Sequence, residues 1–428
     1  MDSGEAAKDA GLILSDRTVK GISRKMITVK AKEEGEKDGF YWDYFGVNGK
    51  KLNNEKRISF FNSLVVPPAW TDVWFCPDQR GHIQATGKDA KGRTQYRYHP
   101  EWIKKKSDLK FSNIDEFAKY GLVSIRDRVS DDLKLDIMNK YKSTALVIRL
   151  MDLFHIRVGS DQYAKENDSY GLTTLTEGHC KPLTGDEAEG EIDVIFDFTG
   201  KSGKHWRLLI EDDNLAKMIE ESRLIGDEEK EDASDDTQDL FMFLDENNKS
   251  KDLKAEHINE YLDGCTNAKT KYTAKDFRTW AASWKTASRL VLISEASQEE
   301  ISQIPILFDE AEKRVEGTDW EGYPIITWKG VHLRRAQGLA KLAKLEKLPG
   351  SSDKERLASM LAVIDTVAGD LGNTRAVCRS SYIRPMIMDD WENKTFINNW
   401  NSVKNRKLLI GLSKDESITA TYMNKFED

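Results

Sequence analysis

The hydrophobic pattern changes character near residue 110. Before that point, short β-type runs at residues 73–76, 82–86 and 93–98 are separated by Gly, Pro and Asp. Beyond it, apolar positions recur at helical spacing and predict helices over residues 114–118, 131–157, 215–224, 274–294, 333–345 and 353–369. One stretch interrupts the helices: in residues 191–210, EIDVIFDFTGKSGKHWRLLI, two β-type runs flank a glycine-bearing tip at 199–204. The pattern predicts an α+β chain, with a small N-terminal antiparallel β-sheet domain over residues 1–109. A larger, mainly α-helical domain with a small β element follows over 110–428.

The length of 428 residues agrees with at least two domains. Hydrophobic residues make up 39% and charged residues 32%, which suits folded globular material rather than disorder. The N-terminal residues lack the basic flank and apolar run of a signal peptide, and no segment offers about 18 uninterrupted apolar residues. A cytoplasmic protein is expected. Cys76, Cys180, Cys265 and Cys378 lie far apart with no paired spacing, so they are read as reduced, small buried hydrophobes rather than a zinc site or disulfide framework.

A net charge of −8 argues against a nucleic-acid binder, but the charge is unevenly distributed. Residues 88–110 hold the eight bases Lys88, Lys91, Arg93, Arg97, Lys104, Lys105, Lys106 and Lys110 against Asp89, Glu101 and Asp108. Within this basic patch, residues 82–98 read as a hairpin. Alternation puts Arg93, Gln95 and Arg97 on one face, free for phosphates, and Thr94, Tyr96 and Tyr98 on the other, expected to pack. A solvated hairpin on an ordinary domain fits the same residues. The acidic stretch 226–236 is expected to be a solvated insertion or flexible loop, pointing away from any nucleic acid.

Four segments carry candidate chemistry. If the helix of 131–157 runs to its end, Arg157 falls on the face of Leu146, Leu150 and Leu153 and calls for an anion; a pair with Asp161 at a fraying end is the ordinary alternative. Thr273 and Asp276 stand at capping-box spacing, placing Arg278 near a helix start, where it could help hold a phosphate or form a surface ion pair. Gly200–Ser202 reads GKS, yet Ile195 stands where a P-loop needs glycine, leaving Lys201 and Lys204 as a hairpin's lysines, either proton donors or solvated. Tyr382 follows a predicted helix and precedes Pro385, expected to stop it; a nucleophilic tyrosine would need help, because a phenol with a pKa of about 10 is protonated at neutral pH.

Together these segments resemble the type IB DNA topoisomerases of the compact bacterial and poxvirus kind. The longest match is PPAWTDVWFCPDQRGHIQATGKDAKGRTQYRYHPEW, residues 67–102, which resembles the family's N-terminal DNA-clamping sheet. IRVGSDQYAKENDSYGLTTL, FTGKSGK, KDFRTW and SYIRP resemble the segments of the first arginine, the lysine, the second arginine and the nucleophile. The resemblance implies catalytic roles for Tyr382, Arg157, Lys201, Arg278 and Asn373, with asparagine where poxvirus and nuclear relatives have histidine. It implies relaxation of supercoiled duplex DNA through a 3′-phosphotyrosyl enzyme, without ATP or a required metal, magnesium only stimulating. A nucleoid-associated monomer clamping the duplex is expected, with DNA contacts from Lys88, Lys91, Arg93, Gln95, Arg97, Tyr98, Tyr163 and Lys204. A tyrosine recombinase shares the Arg, Lys, Arg, Tyr logic, but the PPAW-type sheet argues against it; a non-catalytic DNA-binding scaffold would be expected to lack a catalytic position.

Overall fold

In the computed structural model, the described residues are 3–30, 39–184, 192–210, 212–227, 236–265, 271–297, 299–303, 333–345 and 348–424. The chain divides into two compact units, Met1–Ser112 and Asn113–Asp428, and its elements follow the α+β order predicted by the pattern.

The first unit opens with helix α1 (Ser3–Asp9) and an antiparallel two-stranded ribbon of β1 (Ser23–Val29) and β2 (Gly39–Phe45), Met26 opposite Trp42. Neither strand was predicted. Met26, Val29, Phe40 and Tyr41 are exposed, so the half-buried alternation that marks a strand is missing. Helix α2 (Glu55–Ser63) starts at Asn54, whose side chain accepts from the Arg57 N–H. The expected strands form a three-stranded antiparallel sheet of β3 (Thr71–Phe75), β4 (Ile83–Lys88) and β5 (Thr94–Tyr98). Ile22, Tyr44, Phe61, Val66, Phe75 and Ala85 form the larger of two buried apolar clusters in this unit.

The hairpin faces are the reverse of those expected. Tyr96 and Tyr98 are 37% and 40% exposed and stack on each other, while Gln95 and Arg97 are half-buried. Arg97 turns inward because it finds the carbonyls of Leu64 and Val65 and the face of Trp70. Arg93 and Gln95 both bond to Asp89, and Lys88 pairs with Asp72.

Helix α3 (Pro100–Glu116) begins well before the predicted 114–118, with proline in its first turn and Trp102 buried against Ala6, Ala7 and Leu12. A π-helical turn, Phe117–Gly121, leads into α4 (Leu122–Asp132). The predicted helix 131–157 is instead a break followed by α5 (Lys140–Phe154), capped by Asn139 and closed by His155 at φ +58°. Arg157 therefore lies beyond the helix, a correction to its expected place on the helical face. After α6 (Asp161–Asn167) come β6 (Cys180–Thr184), β7 (Ile192–Gly200) and β8 (Lys204–Ile210), forming an antiparallel sheet in that order. Gly200 pairs with Lys204, so the turn is Lys201, Ser202 and Gly203, the last two at positive φ.

Helix α7 (Asp213–Asp227) ends in the first residues of the acidic stretch, of which 228–235 lie outside the described residues, as do 304–332. A short hairpin of β9 (Met242–Leu244) and β10 (Ser250–Asp252) precedes α8 (Ala255–Cys265) and α9 (Ala274–Glu295). Helix α9 is buried on nearly every side from Phe277 to Val291, as expected of a helix at the centre of its unit. Its buried Thr279, Ser283 and Thr286 hydroxyls are satisfied by carbonyls four residues back. The helices Leu333–Leu342, Asp353–Asp370, Arg375–Ser381, Pro385–Glu392, Phe396–Asn401 and Lys414–Met423 complete the unit. Pro385 starts a helix, where its missing N–H costs nothing, instead of stopping one. The four cysteines are free, and among the described residues no helix is long and apolar enough to cross a membrane.

Candidate active site

A cavity of about 390 Å³ in the second unit is lined by Arg157, Tyr163, Tyr170, Lys201, Lys275, Arg278 and Tyr382, among others. It gathers residues far apart in sequence because three backbone features deliver them to one place.

The first is the left-handed turn at His155, which ends α5 and redirects the chain. The extended segment after it is held by a short turn at Leu172–Thr174: Leu172 N–H donates to the Arg157 carbonyl at 2.9 Å, and Thr173 N–H to that of Val158 at 2.7 Å. Gly171 allows this approach, since a Cβ there would sit 2.6 Å from the Arg157 carbonyl oxygen.

The second is the β7–β8 hairpin. Tyr170 N–H donates to the Thr199 carbonyl at 2.8 Å and Ser169 Oγ to that of Gly200 at 3.3 Å, tying the hairpin to the loop behind Arg157. Lys201 then lines the cavity, its ammonium 5.2 Å from the centre of the Tyr163 ring. Lys204, the first residue of β8, is not among the cavity's lining residues.

The third is the end of helix Asp353–Asp370. Gly372 takes φ +58°, with Gly372 N–H bonding to the Gly369 carbonyl at 2.9 Å and Asn373 N–H to that of Ala368 at 2.8 Å, the pattern of a Schellman cap. The indole of Trp206, from β8, packs where a Cβ on Gly372 would lie, 2.4 Å from its Cζ2. Asn373 is buried, and its side-chain carbonyl accepts from Arg157 Nη2 at 2.8 Å.

Arg278 joins these pieces. The capping box at Thr273 and Asp276 starts α9 as expected, with Thr273 N–H donating to the Asp276 carboxylate at 2.7 Å. Arg278 is buried, not on the surface, and donates to the carbonyls of His155 and Leu371, each two residues before Arg157 and Asn373 respectively. Burial and the like charge of Arg157 pull its pKa down to about 9, which leaves it protonated at neutral pH.

Tyr382 closes the helix Arg375–Ser381 and is 8% exposed. Its ring centre is 5.6 Å from the Arg278 guanidinium carbon and 5.9 Å from the Lys275 ammonium. Burial by itself would raise the phenol's pKa, but the charges of Arg278, Arg157 and Lys275 and the Arg278 hydrogen bond outweigh it, and the net shift is downward. Ser283 holds the backbone on both sides: its Oγ, whose one proton is shared between the Thr279 carbonyl at 3.0 Å and the Tyr382 carbonyl at 3.2 Å, accepts from Arg384 N–H at 3.1 Å.

Arg157, Lys201, Arg278 and Tyr382, singled out in the sequence, thus share one cavity, with Tyr163 on its wall and Asn373 one hydrogen bond behind. Lys275 and Ser283 were missed. Lys275 stands three residues before Arg278, hence on the same helical face, a signal the sequence did offer; a serine inside an apolar helix offers none. Lys88, Lys91, Arg93, Gln95, Arg97 and Tyr98 all belong to the other unit.

The cavity thus holds a phenol whose pKa is lowered by guanidinium groups and, in the same lining, the ammonium of Lys201, a set of side chains suited to an anionic ligand. Residues 100–407 match the family described as eukaryotic DNA topoisomerase I, catalytic core, and residues 41–89 match the bacterial DNA topoisomerase IB N-terminal domain. The DNA topoisomerase 1B of Acanthamoeba polyphaga mimivirus is 30% identical over 254 residues, covering 58% of this chain and 69% of that relative. The chain belongs to the type IB DNA topoisomerase family.

Proposed function

We propose that the protein relaxes supercoiled duplex DNA by reversible cleavage of one strand through a 3′-phosphotyrosyl intermediate. The observation that carries this reading is the Tyr382 hydroxyl, held among Arg278, Arg157 and Lys275 with its pKa lowered despite burial. Tyr382 Oη attacks a backbone phosphorus; the P–Oη bond forms and the P–O5′ bond breaks. Lys201 gives its proton to the departing 5′ oxygen, and the phenol's proton leaves to water. Arg157, Arg278 and the Asn373 amide stabilise the charge that gathers on the non-bridging oxygens. The covalent link keeps the energy of the phosphodiester, so after the free strand rotates, the 5′-hydroxyl reverses the attack without ATP. Guanidinium groups do the neutralising work that metal ions do elsewhere, so magnesium is proposed as a stimulant of release and not a requirement.

Lys88, Lys91, Arg93, Gln95, Arg97, Tyr98, Tyr163 and Lys204 are proposed to contact the duplex, with the protein acting as a nucleoid-associated monomer. Plasmid relaxation tests the whole reading. Purified protein should relax positive and negative supercoils in excess chelator without ATP, and Tyr382→Phe should bind DNA yet never become attached to it. A strict requirement for ATP or magnesium, or a nucleotide trapped on another tyrosine, would overturn it.

A further inference from the structure

The turn after α2 is built against the preference of its own residue. Leu64 ends the helix in the right-handed region and Val65 follows at φ +46°, its N–H donating to the Asn62 carbonyl at 3.1 Å. This is the left-handed position that glycine or asparagine fills at little cost and where a β-branched residue is an outlier. Two arginines hold it there. Arg97 donates to the carbonyls of Leu64 at 3.1 Å and Val65 at 3.0 Å, and Arg24 to those of Val66 at 2.8 Å and Pro67 at 2.6 Å. Four consecutive carbonyls are thereby gripped, and each guanidinium is backed by an indole, Arg24 at 3.8 Å from the Trp42 ring centre and Arg97 at 5.1 Å from that of Trp70.

Two consequences follow from this construction. Val65 is 72% exposed, so it strains the backbone while packing little inside the fold, and it stands on a turn whose carbonyls are held by two guanidinium groups. Behind it stand two positive charges satisfied by neutral carbonyls; among the described residues no carboxylate pairs with either guanidinium. A duplex meets both halves of such a surface, with phosphates for the charge and the deoxyribose wall of a groove for the isopropyl group. We propose that the turn of residues 64–67 is a contact point for duplex DNA, where Val65 packs against sugar and base edges in a groove and Arg24 and Arg97 supply the field that draws the polyanion. This rests on the DNA-relaxing reading above and adds to it a named contact on the unit Met1–Ser112.

The test uses the full chain carrying Tyr382→Phe, so that binding is measured without cleavage. Adding Val65→Gly should weaken duplex binding about fivefold while leaving its salt dependence unchanged, because no charge is lost. The same change should raise Tm by a few degrees, because glycine accepts the left-handed conformation. Val65→Asp should weaken binding more than tenfold, by repulsion from the phosphates. Duplex affinity of Val65→Gly equal to that of its parent would overturn the proposal, as would a loss of affinity accompanied by a lower Tm. A changed sedimentation coefficient with unchanged affinity would overturn it too and assign the turn to a second copy of the chain. Failure of the Tyr382→Phe parent to bind duplex DNA would instead remove the underlying reading, whatever the result at Val65.

Discussion

The Arg157 guanidinium donates to the side-chain carbonyl of Asn373 at 2.8 Å, and this one bond sets the orientation of the asparagine amide. Its Nδ2 is buried with no hydrogen-bond partner among the described residues, a donor whose desolvation an incoming acceptor would compensate. A phosphoryl oxygen beside Arg157 would be such an acceptor.

Asn373→Asp keeps the acceptor for Arg157 but replaces the donor with a charge that repels a phosphate, whereas Asn373→Ala removes both. Single-turnover cleavage should therefore fall further in Asn373→Asp than in Asn373→Ala, by about tenfold or more. Arg157→Ala or Arg278→Ala should be more severe than Asn373→Ala. If aspartate cleaves as well as alanine does, the amide nitrogen is not aimed at the transition state.

The lowered pKa of Tyr382 carries a sign. Guanidinium charge favours the phenolate, so cleavage should rise with pH and level off below the ordinary phenol value of 10.0. Arg278→Ala removes the largest of the opposing charges and leaves burial to act, which moves the inflection upward. A pH–rate profile whose inflection does not move in Arg278→Ala would show that Arg278 does not tune the nucleophile.

Of the two hairpin lysines, Lys201 lines the cavity and Lys204 does not. Replacing the bridging 5′ oxygen with sulfur creates a leaving group that departs without a proton, so it should rescue only the variant lacking the donor. Lys201→Ala is expected to cleave ordinary DNA slowly and the sulfur-substituted strand near the normal rate, with Lys204→Ala little affected on either. Rescue of Lys204→Ala instead would move the acid to that residue.

Gly372 sits at φ +58° with Trp206 in the space of a Cβ. Gly372→Ala should destabilise the unit by about 2 kcal/mol, from strain and overpacking together. Because Trp206 also packs against Gly200, the same change should disturb both Asn373 and Lys201. Urea unfolding and cleavage rates measured on the same protein check this; a normal unfolding midpoint would mean that the indole shifts freely.

The buried Arg126 bonds to both Asp152 and Glu416, and Glu416 also accepts from the Trp280 indole at 3.2 Å. Arg126→Met would leave two carboxylates buried without their cation, costing about 3–5 kcal/mol. Combining it with Asp152→Asn and Glu416→Gln should recover much of that loss. Chemical denaturation of the single and triple variants tests this, and a triple variant no more stable than the single one would rule out charge as the cause.

Local features were readable from residue order. The capping box at Thr273 and Asp276, the glycine-tipped hairpin of 192–210, the apolar period of α9 and the order of the site segments all depend on groups a few positions apart. What residue order left open was decided by distant partners. Helix α5 stops short of Arg157 at a left-handed His155, whose carbonyl accepts from Arg278, 123 positions away. The outward face of β5 is the tyrosine face because Arg97 is taken up by carbonyls at the end of α2 and by Trp70. Ser283 acquires a role only because the chain returns to place Tyr382 and Arg384 against it. Periodicity and caps are short-range terms, fixed by neighbours along the chain. The direction of a guanidinium or the end of a helix is settled by which buried polar group would otherwise go unsatisfied, and that is known only once the chain has folded back on itself.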